Sequence, residues 1–172
     1  MKVVVLLGAF AALSGCTFSP VYAPTAQLQT AQDQTRQIFV ERPANRSEQV
    51  IRNELLFAFG QNQAIEPNAA IYVLDLNTRF TTQNDLVSRT GVSIASSTLG
   101  TTVFELKRRD DGETLYKGQT SSRATYDVFE QEFANIRAER DAENRAAREI
   151  AANINAQISG YFAANAGAAA TD

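Results

Sequence analysis

Runs of apolar residues along the chain predict four strands. The first is short and is ended at Arg42 and Pro43, because proline has no N–H to donate to a neighbouring strand. Polar residues 81–85 predict a turn after the second strand. The third strand lies at the end of residues 86–109, a β-branched, Ser/Thr-rich stretch that Gly91 and Gly100 interrupt. The four predicted strands are residues 37–41, 71–80, 101–107 and 114–126.

The sequence Asp110-Asp111-Gly112 between the last two strands predicts a β-hairpin, since Asp-Gly is a strong short-range signal for a tight turn. Two registers are compatible with it. A two-residue turn places Phe104, Leu106 and Leu115 on one face, whereas a three-residue loop pairs Leu106 with Tyr116. The sequence leaves both registers open.

Helical periodicity appears in two segments. In residues 47–59, Ser47 is a candidate cap and Gly60 can end the helix in the left-handed conformation. The second helix is long and runs from Asp127 to about Phe162, with Asp127 and Glu130 at capping-box spacing. Its predicted sheet-facing positions are Phe129, Phe133, Ile136, Ala147, Ile150, Ile154 and Ile158, and its predicted outer charge row is Arg137, Asp141, Arg145 and Glu149.

The order strand, helix, three strands and long helix predicts an α+β fold. We expect a two-layer α/β sandwich with a mixed sheet of about four strands, covered on one face by two helices, the C-terminal one long. The opposite sheet face is then left to a partner. This domain is predicted over residues 37–162, and the Ala/Gly-rich tail 163–172 is predicted to be disordered.

The first residues have the pattern of a lipoprotein signal peptide. Lys2 precedes the apolar run 3–13, which is shorter than the roughly 20 residues of a transmembrane helix. Leu13-Ser14-Gly15-Cys16 then has the form of a lipobox, so we predict a signal peptide at 1–15 and a lipidated tether at 16–36. The alternative is an uncleaved apolar N-terminus with an incidental cysteine.

Lipidation of Cys16 predicts where the protein resides. An S-diacylglycerol and an N-acyl chain anchor a protein to a membrane stably, since each buried methylene contributes about 0.8 kcal/mol. An Asp directly after the lipidated cysteine resembles the inner-membrane retention signal of enteric bacteria. This chain has Thr17 at that position. We therefore expect an outer-membrane address on the periplasmic side, with this covalent lipid and no cofactor.

Composition excludes most catalytic chemistry. The 172 residues, net charge −3, carry one cysteine and no histidine, so zinc sites and Cys-His or Ser-His nucleophiles lack their groups. A mildly acidic chain also lacks the basic footprint of nucleic-acid binding. Enzymatic activity would need paired carboxylates. Two tight acidic pairs are present, and both are typical of structural positions: Asp110/Asp111 of a turn and Asp141/Glu143 of a helix surface. We therefore expect neither an enzyme nor a metal site.

The segment Cys16-Thr17-Phe18-Ser19-Pro20-Val21-Tyr22 resembles the Cys-Gly-Phe-x-Pro-Leu-Tyr opening of the LptE lipopolysaccharide-assembly lipoproteins, with Thr17 in place of the usual Gly. The rest of the mature chain is similar in order. Ile38-Phe39-Val40 corresponds to the family's first strand and Asn53-Glu54-Leu55 to its helix. The final helix carries Phe133-Ala134-Asn135 and Arg145-Ala146-Ala147.

This resemblance implies a non-enzymatic role. Proteins of the family plug the lumen of the outer-membrane β-barrel protein LptD, assist its assembly and take part in transport of lipopolysaccharide to the cell surface. A plug needs a polar surface against a polar barrel interior. Hydroxyls in Ser93 through Thr102 and in 120–122 would supply one. Hydroxyl-rich strands are also common on solvated sheet faces, which is the alternative explanation.

Basic residues near the hairpin are the candidate contacts for lipopolysaccharide, whose phosphates suit Arg and Lys. The candidates are Lys107, Arg108, Arg109 and Lys117, with Arg79, Arg89 and Arg123 as weaker ones. The resemblance implies the same region, because basic residues of the sheet are where the family is thought to touch lipopolysaccharide. A solvated hairpin end balanced by Asp110, Asp111 and Glu113 is the alternative.

Phe18, Pro20 and Tyr22 form an apolar group directly after the lipid site. We expect them to contact the domain or the barrel wall, the alternative being an anchor segment at the membrane interface. A different function class also stays open, namely another small envelope lipoprotein. Such a protein could be an auxiliary subunit of a lipid-transport ABC system or an activator of cell-wall synthesis.

Overall fold

The computed structural model describes residues 26–61, 64–87, 89 and 93–168. In chain order these form a helix, a short strand, a second helix, a 3-10 turn, three long strands and a long helix. The elements are α1 (Ala26–Thr35), β1 (Ile38–Val40), α2 (Arg46–Ala58), the 3-10 turn Pro67–Ala69, β2 (Tyr72–Val87), β3 (Ser93–Arg108), β4 (Thr114–Asp127) and α3 (Glu132–Ala168).

The strands form one mixed sheet in the order β1-β2-β3-β4. β1 runs parallel to β2, and the other neighbours are antiparallel. The connection between the parallel strands passes through α2, as a parallel pair requires a crossover. At the hairpin Leu106 pairs with Tyr116, which is the register predicted for the longer loop, and a bulge follows at Lys107. Gly112 has a φ of 71°, which glycine adopts without strain.

The core lies between one sheet face and the helices. Side chains alternate along a strand, so the buried Leu74, Phe104 and Leu106 share the face that the helices cover. α2 and α3 add apolar side chains to this cluster mostly at three- and four-residue steps, and α1 adds one. The helical members are Ala31 from α1, Ile51, Leu55 and Phe59 from the α2 region, and Ala147, Ile150, Ala151, Ile154, Ile158 and Phe162 from α3.

Hydrogen bonds at the start of α2 fix that helix to the sheet. The side chain of Asn45 accepts from the Glu48 N–H at 2.8 Å and caps the helix in place of the predicted Ser47. The buried Glu48 carboxylate accepts from the backbone N–H groups of Ala44 and Thr78. Gly60 has a φ of 69° just after the helix, as predicted.

The predicted α+β fold, with its four-stranded mixed sheet and long C-terminal helix, is confirmed. Several boundaries were wrong. The segment predicted as a tether up to residue 36 ends in α1, which buries Ala31 against the core. Residues 81–85 continue β2 instead of turning. α3 begins at Glu132 instead of Asp127 and continues to Ala168, through much of the tail predicted to be disordered.

Candidate functional site

The sheet face opposite the helices carries most of the candidate binding residues. We call it the open face. Cross-strand pairing aligns its side chains in rows, because directly paired residues point to the same side of a sheet. The open face consists of the odd-numbered residues of 73–83 on β2, 97–107 on β3 and 117–125 on β4.

An ion network spans the open face near the hairpin. Glu105 on β3 pairs in register with Asp75 and with Lys117. The Lys117 ammonium lies 2.5 Å from the Glu105 carboxylate, and Lys107 lies 3.3 Å from Glu105 and 3.5 Å from Asp75. Hydrogen bonds from Lys117 and then Lys107 lower the pKa of Glu105, and the bond to Glu105 raises the pKa of Lys107. Two of the four predicted lipopolysaccharide contacts, Lys107 and Lys117, are therefore paired with carboxylates of the open face.

The other two predicted contacts point elsewhere. Arg108 donates to Asp111 at 2.7 Å and to Glu113 at 2.8 Å, and Asp111 above all raises its pKa. Arg109 donates to the Asn68 side chain at 3.1 Å. The structure thus divides the predicted basic cluster among the open face, the hairpin loop and the 3-10 turn, and it places no unpaired cluster of four cations there.

The weaker basic candidates lie farther along the sheet. Arg123 reaches across β3 to donate to Ser97 at 2.8 Å and lies 3.7 Å from Asp85. Arg79 is exposed and pairs in register with Thr101, and within the described ranges it has no ion pair. Arg89 is exposed too, between residues outside the described ones. Arg79 is therefore the open-face cation most available to an anion.

The hydroxyls expected on a polar binding face are divided between both faces. Thr98, Thr102, Thr120 and Ser122 are buried toward the helices. Ser122 donates to Glu149 of α3 at 2.7 Å and so joins the two layers, whereas the Thr102 hydroxyl shares a hydrogen bond with Thr78 inside the sheet. A shallow cleft of ≈ 420 Å³ lies on the sheet among Asp75, Leu76, Asn77, Val103 and Glu105.

One end of the molecule exposes large apolar side chains. Three of them, Phe129, Phe133 and Ile136, were predicted to lie on the sheet, and this was wrong: their exposed fractions are 51%, 70% and 40%. Phe129 lies before the first residue of α3, and Phe133 and Ile136 lie in first turns that precede the core-packed part of the helix. Other exposed apolar residues come from the end of β2 and the start of β3. We call the group the apolar end: Leu86, Val87, Ile94, Phe129, Phe133 and Ile136.

Cys16, Phe18, Pro20 and Tyr22 lie outside the described residues, as does the predicted signal peptide. Among the helices that the structure describes, none has the length and apolar character needed to cross a membrane. Within the same residues, no group of three or more Asp, Glu, Cys or His side chains is placed to hold a metal ion.

Several solved structures with a similar architecture are of bacterial lipoproteins. A candidate lipoprotein from Caulobacter crescentus is 22% identical, covers 79% of this chain and 98% of its own, and has a TM-score of 0.66. Rare lipoprotein B from Shewanella oneidensis is 12% identical, covers 72% and 92%, and has a TM-score of 0.53. A minor lipoprotein from Acinetobacter baumannii is 16% identical, covers 72% and 88%, and has a TM-score of 0.51.

These likenesses show that the chain has a fold found in small bacterial lipoproteins, over most of their length. No protein-family model matches the chain, and no curated protein is similar to it.

Proposed function

We propose that this protein is an outer-membrane lipoprotein that plugs an LptD-like β-barrel, assists its assembly and takes part in lipopolysaccharide transport. The observation that carries the proposal is the ion network of the open face, where the Glu105 carboxylate pairs with both Lys107 and Lys117. A surface with paired charges can lie against a polar barrel wall without burying uncompensated ions, which is costly. The Cys16–Tyr22 resemblance and the shared lipoprotein fold support the same role.

A lipid on Cys16 would hold the domain at the periplasmic side of the outer membrane. The lipobox Leu13–Cys16 supports this address, and the fold likeness to solved lipoproteins agrees with it. Phe18, Pro20 and Tyr22 then lie within a few residues of the acyl chains. We propose that these side chains contact the barrel or the bilayer surface beside it. The proposed role is non-enzymatic and uses no cofactor and no metal.

Depletion of the protein tests this role. We expect loss of lipopolysaccharide from the cell surface together with misassembled LptD. Normal LptD folding with altered phospholipid or cell-wall traffic would contradict the proposal. It would favour the second class, an auxiliary subunit of a lipid-transport ABC system or an activator of cell-wall synthesis.

Lipopolysaccharide contact is proposed at Lys107, Arg108, Arg109 and Lys117. Phosphate oxygens can add to an ammonium or guanidinium that already has one carboxylate partner, because Lys has three donors and Arg five. Charge reversal of Lys107, Arg108 and Arg109 should weaken binding to purified lipopolysaccharide without unfolding the domain. The Arg79→Glu variant on the same face is the comparison. If the triple variant binds like wild type, these residues are not the site, and loss in Arg79→Glu alone would assign binding to Arg79.

A further inference from the structure

The strand β4 forms one edge of the sheet, since β3 is the only strand beside it in the described structure. It is 14 residues long and contains no proline. The outer side of an edge strand presents unpaired N–H and C=O groups, with which an extended peptide can form a further ladder. The outer side of β4 is therefore a candidate interaction surface.

A hydrogen bond from the Val128 N–H to the Ile94 carbonyl, at 3.1 Å, shows which residues of β4 have outward backbone groups. In an antiparallel pair, residues that bond to the neighbouring strand alternate with residues whose N–H and C=O point away from it. The register has no shift between Asp127 and Tyr116, so the even-numbered residues of this part of β4 bond to β3. The outward groups belong to the odd-numbered residues. We call four of these the outer edge: Lys117, Gln119, Ser121 and Arg123.

The next odd-numbered residue is already occupied. Arg145 of α3 donates to the Thr125 carbonyl at 2.9 Å, as expected for a carbonyl that points away from β3. Within the part of the chain that the structure describes, no hydrogen bond reaches the backbone groups of the outer edge, and its four side chains are exposed. The other side of the sheet differs, because β1 and the Glu48 carboxylate bond to β2 there. The outer edge thus offers about 20 Å of unpaired strand.

The charges beside the outer edge are compensated. Three cations lie along it and each has a carboxylate partner: Lys117 with Glu105, Arg123 with Asp85, and Arg145 with Asp141. The next charged residues of α3, Arg148 and Glu149, are of opposite sign. Charge therefore neither blocks a partner nor selects one by sign. What the outer edge can recognise is the backbone of an extended peptide.

We propose that the outer edge binds an extended segment of the barrel protein, which joins the sheet as a fifth strand beside β4. The inference rests on the proposed function and adds to it a contact made by the backbone. The side chains of the same four residues belong to the open face, so a partner on that face is continuous with the edge. The wall strands of a closed barrel have no unpaired edge. The added strand is therefore a loop or terminal segment of the barrel protein.

Proline at an outward position tests the pairing in full-length, membrane-derived protein. Ser121→Pro removes an N–H that β3 does not use, and a sheet edge tolerates proline where its nitrogen faces solvent. Ser121→Ala keeps the N–H and is the matched control. We expect Ser121→Pro to retain at least ten-fold less barrel than wild type on detergent co-purification, and Ser121→Ala to retain as much as wild type. Equal circular dichroism melts confirm the fold, and undiminished barrel in Ser121→Pro overturns the inference.

Amide hydrogen exchange of the wild-type protein decides the matter independently, including where Ser121→Pro fails to fold. In the protein alone, the N–H groups of Gln119, Ser121 and Arg123 should exchange fast and those of Thr120 and Ser122 slowly. In the complex with the barrel, the three fast groups should slow at least ten-fold. No slowing there overturns this inference and leaves the proposed function standing, whereas absence of any barrel with wild type overturns both. Slow exchange of the three in the protein alone overturns the choice of partner: concentration dependence would indicate a second copy, and its absence another segment of this chain.

Discussion

Glu48 near the start of α2 accepts a hydrogen bond from the backbone N–H of Thr78 on β2, at 2.8 Å. The strand β1 ends at Val40, so it is too short to accept from Thr78 itself. The other oxygen of the same carboxylate accepts from the Ala44 N–H at 2.7 Å. One buried side chain therefore completes the edge of the sheet and holds the helix to it.

Replacing Glu48 with Ala should destabilise the fold. Two backbone N–H groups lose a charged acceptor, and hydrogen bonds to charged groups contribute about 1.5–3 kcal/mol each at most sites. We expect a loss of about 2–4 kcal/mol in the free energy of unfolding, measured by urea denaturation. Glu41→Ala, at an exposed position, should change it by less than about 0.5 kcal/mol. Equal effects of the two substitutions would contradict this role for Glu48.

Gly118 allows an aromatic ring to lie across the sheet. It pairs in register with Phe104, and a Cβ added to Gly118 would come within 2.5 Å of the Phe104 ring. Gly118→Ala should therefore displace a core residue and cost about 1–3 kcal/mol. Gly160→Ala is the matched control, since it meets nothing within 4 Å and lies in α3. There alanine should be neutral or stabilising by up to about 1 kcal/mol. Thermal melts that rank the two the other way would be inconsistent with this packing.

The open-face ion network predicts a pH dependence. Glu105 has a lowered pKa, so its contribution to stability is present above its ordinary value of 4.5 and is lost as pH falls through the folded-state pKa. Lys107 has a raised pKa, so its contribution is present below 10.5 and is lost as pH rises through the folded-state value. NMR titration should show the Glu105 carboxyl moving toward 4.5 in Lys117→Met, and less so in Lys107→Met. A normal Glu105 titration in wild type would refute the network.

Glu143 should behave in the opposite way. Burial, and next Glu139, raises its pKa, so the stability that it contributes is present below 4.5 and is lost as pH rises through the folded-state pKa. Glu143→Gln removes the charged form and should raise the melting temperature at pH 7. The gain should shrink at pH 4, where wild type is protonated too. Glu130→Gln is the surface control, and the same gain at both pH values would argue against burial as the cause.

Much of the fold could be predicted because local pattern and tertiary packing agree. The apolar run at Ile38–Val40, the helix predicted over residues 47–59 and the Asp110–Gly112 turn each correspond to an observed element. The hairpin register could not be chosen, since it depends on a bulge beside Lys107. A bulge adds one residue to one strand without a partner opposite it, and the apolar pattern of the two strands does not reveal it.

The wrong predictions share a physical cause: each depended on how far a neighbouring element extends, which the local sequence does not show. Residues 81–85 look like a turn because they are polar, yet Thr82 bonds to Glu139 and the strand continues. Phe133 and Ile136 fit a core-facing pattern, but a periodicity does not reveal where the partner layer ends. For the candidate site, the basic residues were visible in the sequence. Asp75 forms an ion pair with Lys107 but lies on another strand. This contact could not be predicted without knowing the register of the two strands.

Both the proposed membrane address and the proposed barrel partner follow from a lipid at Cys16. Intact-mass spectrometry of the protein extracted from its native membrane tests this directly. We expect a chain beginning at Cys16, with a thioether-linked diacylglycerol and an acylated amine. A free thiol at that position, or residues 1–15 still attached, would contradict it.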